Sequence, residues 1–248
     1  MKHTKTLTIG GLPLMWALYF AFELITGRAD NFLAIIGNFI LILLFLITGY
    51  IIYKLYIKYS NGINKKSFFS LILIFLALDQ VVKLIINFYF FKRVFDIIPG
   101  ILSFHPIINS DGSWLNARFG ASVSFPALII TNLIFVFLII EVYRYFSSKS
   151  KISFLYDMTF IFLFCGALCS LIDKIFYGGS LDFIGISNLF IADIKDLYIN
   201  LGLYFFMLGA YDSGYLTSKD NTSFNEDIKA IKVFFNFIKN DIRCFFKK

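Results

Sequence analysis

The sequence predicts an all-α integral membrane protein of about six transmembrane helices, and three observations lead there. The composition is 58% hydrophobic and 16% charged, with a mean hydropathy of +0.77; soluble domains carry about 25% charged residues. Six apolar runs recur along the 248 residues, each near the ~20 residues that cross a bilayer. Between the last two runs stand Asp173, Asp182, Asp193 and Asp196. A charged group facing lipid is disfavoured by at least ~2.5 kcal/mol at mid-membrane, so these acids call for a partner, a wet cavity or a chemical task.

The first run, 9–25, follows Lys2 and Lys5 but lacks a small-residue cleavage site, because TGRAD comes next. It reads as an uncleaved span, with Glu23 near its far end expected to reach water at the interface. The second run, 32–53, returns the chain to the starting side, so the two form a hairpin. The third, 67–90, carries Asp79, Gln80 and Lys83; on a helix Asp79 and Lys83 are i and i+4 and can pair. The polar segment 91–118 contains turn residues at Pro99, Gly100, Pro106 and Gly112 around short apolar runs, which predicts strands or an extended flap with aromatics on the membrane surface.

The fourth run is 123–143, the fifth 154–172 and the sixth 197–211. Asp196 falls at or just before the first turn of the sixth, where the positive end of the helix dipole favours a carboxylate. After residue 213, Ile228, Ile231, Phe234, Phe235, Ile238, Ile242 and Phe245 recur at helical spacing among Lys229, Lys232, Lys239 and Arg243. That pattern predicts an amphipathic helix lying on anionic lipid. The expected organisation is a membrane hairpin over 1–66, a four-helix core over 67–212 and a basic tail over 213–248.

Most of the 23 Lys and Arg fall in the N-terminus, the 54–66 and 144–151 loops and the tail. By the positive-inside rule that side is cytoplasmic, so the acidic cluster and the 91–118 segment share the outer face. Nucleic-acid binding is excluded as a reading, since no basic patch is interleaved with aromatics outside the apolar runs. Cys165 and Cys169, four apart on one helical face, read as helix-packing residues rather than a bridge, and with only His3 and His105 no metal or other cofactor is expected. A monomer in contact with membrane lipids is the expected state.

Two neighbouring acids cannot both ionise cheaply, so one keeps a proton while the other stays charged. Aspartic peptide hydrolysis uses that asymmetry: one carboxylate draws a proton from water and the other gives one to the scissile carbonyl oxygen. Asp182, in the loop SLDF, and Asp196, at the head of the sixth helix, are the pair best placed to meet.

Over residues 68–211 the chain resembles signal peptidase II, the bacterial lipoprotein signal peptidase family. DQVVK at 79–83 matches the family's D-Q-x-x-K, IPG at 98–100 its I-P-G, NSDGSW at 109–114 its N-T-G-A-A-F, GALCSLIDK at 166–174 its G-A-L-G-N-x-x-D-R, and SLDF at 180–183 its V-V-D-F. For the last motif, F-N-x-A-D-x-x-I-x-x-G, two alignments exist. Set on Ile199 and Gly202, its Asp is Asp196, its Asn Asp193 and its Ala Lys195; set on Ala192 and Asp193, its Asp is Asp193 and the Ile and Gly are lost. The first is preferred. The resemblance implies a four-helix core with a β cradle, an aspartic dyad of Asp182 and Asp196, and a supporting shell of Asp79, Asn109, Ser170, Asp173 and Lys174, with Lys83 and Asp193 beside them. Asp173 and Lys174 also read as a local ion pair at a helix end.

It further implies a multi-pass protein of the bacterial inner membrane with both termini cytoplasmic, cleaving diacylglyceryl-modified prolipoproteins at the outer face. The departures are Ser170 for Asn, Lys195 for Ala, a shorter loop between the last two motifs, and the added hairpin and tail. They keep a second reading open, a catalytically silent membrane protein that binds lipidated peptides or acts as an accessory factor. A transporter would show broken helices or half-repeats, and the sequence has neither.

Overall fold

The structure, a computed structural model, describes residues 2–27, 31–110, 123–149, 153–186, 190–216 and 224–246. Helices α1 (Lys2–Ile25) and α2 (Phe32–Lys58) form the expected hairpin. Asn31 starts α2 by accepting a hydrogen bond from the Leu33 amide, satisfying one of the donors that a helix start leaves open. The hairpin closes tightly at Gly49, where a Cβ would lie 2.5 Å from the Ile9 carbonyl oxygen. Glu23 does not reach water as expected: it is 4% exposed, although Phe22, Leu24 and Ile25 beside it are exposed, so its side chain lies on the one covered face of this helix end.

Helix α3 (Lys65–Ile85) is capped by the Asn64 side chain and runs into one π-helical turn, Ile86–Phe90. Helices α4 (Phe125–Lys149) and α5 (Phe154–Phe176) follow. All five of these helices are long and apolar enough to cross a membrane. The sixth apolar run forms α6 (Ile194–Asp212), 19 residues, or about 28 Å at 1.5 Å per residue, close to the thickness of the hydrocarbon layer. The tail forms a further helix, α7 (Phe224–Phe246).

Helix α5 is central: 61% of its apolar window is buried, against 22% or less in the other four spans. Leu155, Ile161 and Cys165 on α5 pack with Tyr198, Phe205 and Leu208 of α6, and the rings of Phe162 and Phe205 stack 5.6 Å apart. Cys165 and Cys169 are fully buried free thiols, in keeping with a packing role. Two glycines let α5 and α6 approach. A Cβ on Gly166 would lie 2.7 Å from the Ile199 side chain, and one on Gly202 2.6 Å from Leu163.

The cradle is one antiparallel sheet in the order β1 (Phe95–Ile98), β2 (Leu102–Asn109), β3 (Ser180–Ile186), β4 (Phe190–Ala192). The expected extended segment is therefore real, and its partner comes from beyond α5. The β2–β3 register shifts between Phe104 and Ile107, at Pro106, whose nitrogen has no proton to give a neighbouring strand. The Trp114 motif lies outside the described residues. Asp182, expected in a loop, sits in β3 opposite Ile107. The strand escaped detection because Ser180, Leu181, Asp182 and Phe183 are all buried, leaving no in-out alternation to read. Leu181 and Phe183 pack with Ile86, tying the sheet to the π turn below it.

Gly166→Val would force a branched side chain into the α5–α6 contact, at an expected cost of about 1–3 kcal/mol. Thermal unfolding in detergent checks it: the melting temperature should fall, and an unchanged value would mean that α5 and α6 can separate freely.

Candidate active site

Where α3, α5, α6 and β3 converge, five aspartates meet three lysines. Lys83 on α3 reaches Asp79 one turn earlier at 2.9 Å, Asp173 on α5 at 2.7 Å and Asp193 at 2.7 Å, and all four side chains are 0% exposed. The pairing expected from the i, i+4 spacing is thus present, but it is one arm of a three-way junction. Lys195 forms a second junction: its ammonium donates to Asp193 Oδ2 and Ser180 Oγ, and stands 3.4 Å from Asp173 and 3.7 Å from Asp182. Lys174 turns away from Asp173 and donates to Ser170 Oγ one turn earlier on the same helix at 2.8 Å, while Asp173 takes its partners, Lys83 and Lys195, from other elements, so the expected Asp173–Lys174 pair does not form. For Asp173 the cross-helix Lys83 ammonium wins because the two fully buried charges offset each other's cost of leaving water.

The head of α6 is built by its own acids. Asp193 is the N-cap and Asp196 the third helical residue, and each accepts from the other's backbone N–H at 3.2 Å. This reciprocal capping box satisfies two helix donors and holds both carboxylates at the start of α6. The backbone pairing of β3 with β2 then brings Asp182 over this point. Asn109, opposite Ser180 in the register, donates to Asp182 Oδ2 at 3.1 Å, and Ser180 Oγ donates to Oδ1. Carboxylate oxygens of Asp182, Asp193 and Asp196 all lie within 4.8 Å of one another.

These three acids are not equivalent. Burial would raise the Asp193 carboxyl, yet the Lys195 and Lys83 ammoniums overcome that and hold it below the usual range. Burial pushes the Asp182 carboxyl up, against the opposing pull of Lys195 and the hydrogen bonds from Ser180 and Asn109. Asp196, only half-buried, faces Asp182 and Asp193.

All nine predicted residues fall in or beside this cluster. Asp79, Lys83, Asp173, Asp182, Asp193 and Asp196 form one connected charge network with Asn109 attached, whereas Ser170 and Lys174 make their own contact at its edge. Ser180 was missed, although i and i+2 on a strand share a face and its place two before Asp182 was visible. Lys195, which the alignment puts beside the expected acid pair in place of the family's Ala, lies 3.7 Å from Asp182.

A bundle of membrane-length helices, with carboxylates gathered where a small sheet meets the helix ends, defines an acid-centred multi-pass membrane protein. The family model Peptidase_A8, Signal peptidase (SPase) II, matches residues 71–211, more than half of the chain. The chain belongs to the signal peptidase II family, whose members are membrane proteases. Among solved structures, a bacterial membrane enzyme determined by the in meso method aligns with a TM-score of 0.54 at 18% identity, covering 66% of this chain and 99% of that one. A second, likewise described, gives 0.49 at 20% identity over 65% and 97%. The first similarity concerns the fold alone. A search of curated proteins found no match.

Lys83→Met removes the ammonium shared by three buried carboxylates, and the expected loss is about 3–5 kcal/mol. A melting temperature in detergent equal to the parent's would overturn the junction. The opposite shifts of Asp193 and Asp182 give a signed pH test. A depressed carboxyl contributes stability above its unfolded value of about 3.9 and loses it as pH falls through the folded value; a raised one costs stability wherever it is ionised. At neutral pH Asp193→Asn should therefore melt below the parent, the gap closing under acid, while Asp182→Asn should melt no lower than the parent. The reverse order in a pH series of melting curves would refute the assignment.

Proposed function

We propose that this protein is an aspartic endopeptidase that removes the signal peptide of diacylglyceryl-modified prolipoproteins, with Asp182 and Asp196 as the catalytic pair. The family membership supports lipoprotein processing. The observation that carries the choice of acids is the saturation of Asp193. Its Oδ2 accepts from both Lys83 and Lys195, and its Oδ1 takes the Asp196 amide. An acid so committed is a poor proton carrier, which leaves Asp182 and Asp196 to share one proton.

In this reading one of the two is ionised and takes a proton from water as the oxygen attacks the scissile carbonyl. The protonated partner gives its proton to the carbonyl oxygen, producing a neutral gem-diol without a covalent intermediate. Collapse of the diol returns a proton to the amine leaving group. Asn109 and Ser180 hold Asp182 in place through its two oxygens, so the strand carries a fixed carboxylate. Asp79, Lys83 and Asp173 position the head of α6 through the Lys83–Asp193 pair, and Lys174 and Ser170 support the dyad from the edge of the cluster. The same reading puts the cluster at the outer face of the bacterial inner membrane, both termini in the cytoplasm, and the chain at work as a monomer among lipids. The three segments 1–66, 67–212 and 213–248 are then an added hairpin, the peptidase core and a basic tail.

Cleavage of a diacylglyceryl-modified prolipoprotein by the purified protein in detergent tests the reading. Asp182→Asn and Asp196→Asn should each abolish cleavage while leaving a folded protein. Full activity in Asp196→Asn would move its role to Asp193, and substrate held but uncut by the parent would favour a silent lipopeptide binder. Lys195, an ammonium beside Asp182, favours ionised carboxylates, so Lys195→Ala should move the acidic limb of the pH–rate profile upward. An unmoved limb would mean that the dyad does not feel this cation.

A further inference from the structure

We propose that helix α7 binds an anionic lipid surface through a narrow stripe of Ile231, Phe235 and Ile242 bordered by Lys232, Lys239 and Arg243. The sequence suggests that the whole apolar face of the tail lies on lipid. The structure divides that face in two. Arg144, near the end of α4, clamps both carboxylate oxygens of Asp241, and the Tyr145 ring meets Phe234 at 5.2 Å and Phe237 at 5.4 Å. Ile238, between these contacts, is buried. At 100° per residue, positions 234, 237, 238 and 241 fill one sector of about 100°, and this sector is occupied by α4.

The adjoining sector is uncovered. Ile231, Phe235 and Ile242 lie within about 40° of one another on the helix and are 54%, 60% and 41% exposed. The next sector holds Lys232, Lys239 and Arg243, all exposed. Asp241, which would oppose these cations, is already paired to Arg144. Apolar side chains beside a single-sign row of cations complement lipid tails beside anionic headgroups. The mooring supports the same occupant: α7 is held at the last turns of a membrane-length helix, through an Arg and a Tyr, residue types that settle at the membrane–water boundary. A helix fixed there presents its stripe at lipid depth without having to find it.

The test uses the full-length protein with Cys244→Ser and Phe235→Cys, the new thiol carrying an NBD fluorophore; Cys165 and Cys169 are buried and stay unlabelled. It is reconstituted in nanodiscs of phosphatidylcholine alone or with phosphatidylglycerol. The expected result is blue-shifted emission, quenched by spin-labelled lipid, that depends on phosphatidylglycerol. Each of Lys232→Gln, Lys239→Gln and Arg243→Gln should weaken that dependence about fivefold. In the otherwise unaltered labelled protein it should collapse at about 1 M salt, where the Debye length is about 3 Å. Water-like emission in both lipids would overturn the proposal. So would an equal blue shift in pure phosphatidylcholine that survives the substitutions and salt, which would assign the stripe to a protein neighbour or to lipid of any charge.

Discussion

A single ammonium, Lys83, sets the terms for the structure around it. It sits beyond solvent against Asp79, Asp173 and Asp193, at distances of 2.7 to 2.9 Å. Removing an ion from water costs several kcal/mol, and close partners with good geometry are what offset it. Three elements must therefore meet at one point: α3, which carries Lys83 and Asp79, α5 with Asp173, and the start of α6 with Asp193. That meeting needs helices that approach closely, which Gly166 and Gly202 permit by carrying no side chain where α5 and α6 touch. The large rings of Phe162, Phe205 and Tyr198 fill the space further along.

Charge balance then shapes the rest of the site. Lys83 alone leaves Asp182 and Asp196 unmatched, and Lys195 supplies a second cation between Asp193, Asp173 and Asp182. With five carboxylates against three ammoniums, two negative charges remain in excess when every group is ionised, so the cluster favours retaining a proton. The two lysines and the capping box commit Asp193 to structure. The sheet fixes Asp182 through Asn109 and Ser180, and the asymmetry between Asp193 and Asp182 follows from which of them the lysines reach most closely. The tail shows the same economy: the residues that moor α7 to α4 are distinct from those left facing outward, so one short helix can serve two contacts.

Much of this was legible in the chain. The apolar runs announced their helices, because a membrane demands ~20 apolar residues in a row and this is a local property. The Asp79–Lys83 spacing announced a pair, since i and i+4 are neighbours on any helix. The ordered motifs from Asp79 to Gly202 pointed to the signal peptidase II family before any geometry was known, and the family model covers the same stretch. Asp182 was legible as an important acid yet not as a strand residue, and Glu23 not as a buried one; both depend on what another segment brings alongside.

The sequence by itself determined the number and place of the apolar helices, the family, and the identity of the acids and cations near the sixth helix, all of which rest on local composition and spacing. Tertiary structure alone decided the partners. That Lys83 holds Asp173 and Asp193, that Lys195 reaches Asp173 and Asp182, and that β2 lies against β3 are outcomes of separate segments of the chain meeting in space. A buried charge takes whichever counter-charge the fold brings within about 3 Å, and that choice belongs to the packing of helices and the register of strands rather than to neighbours in sequence.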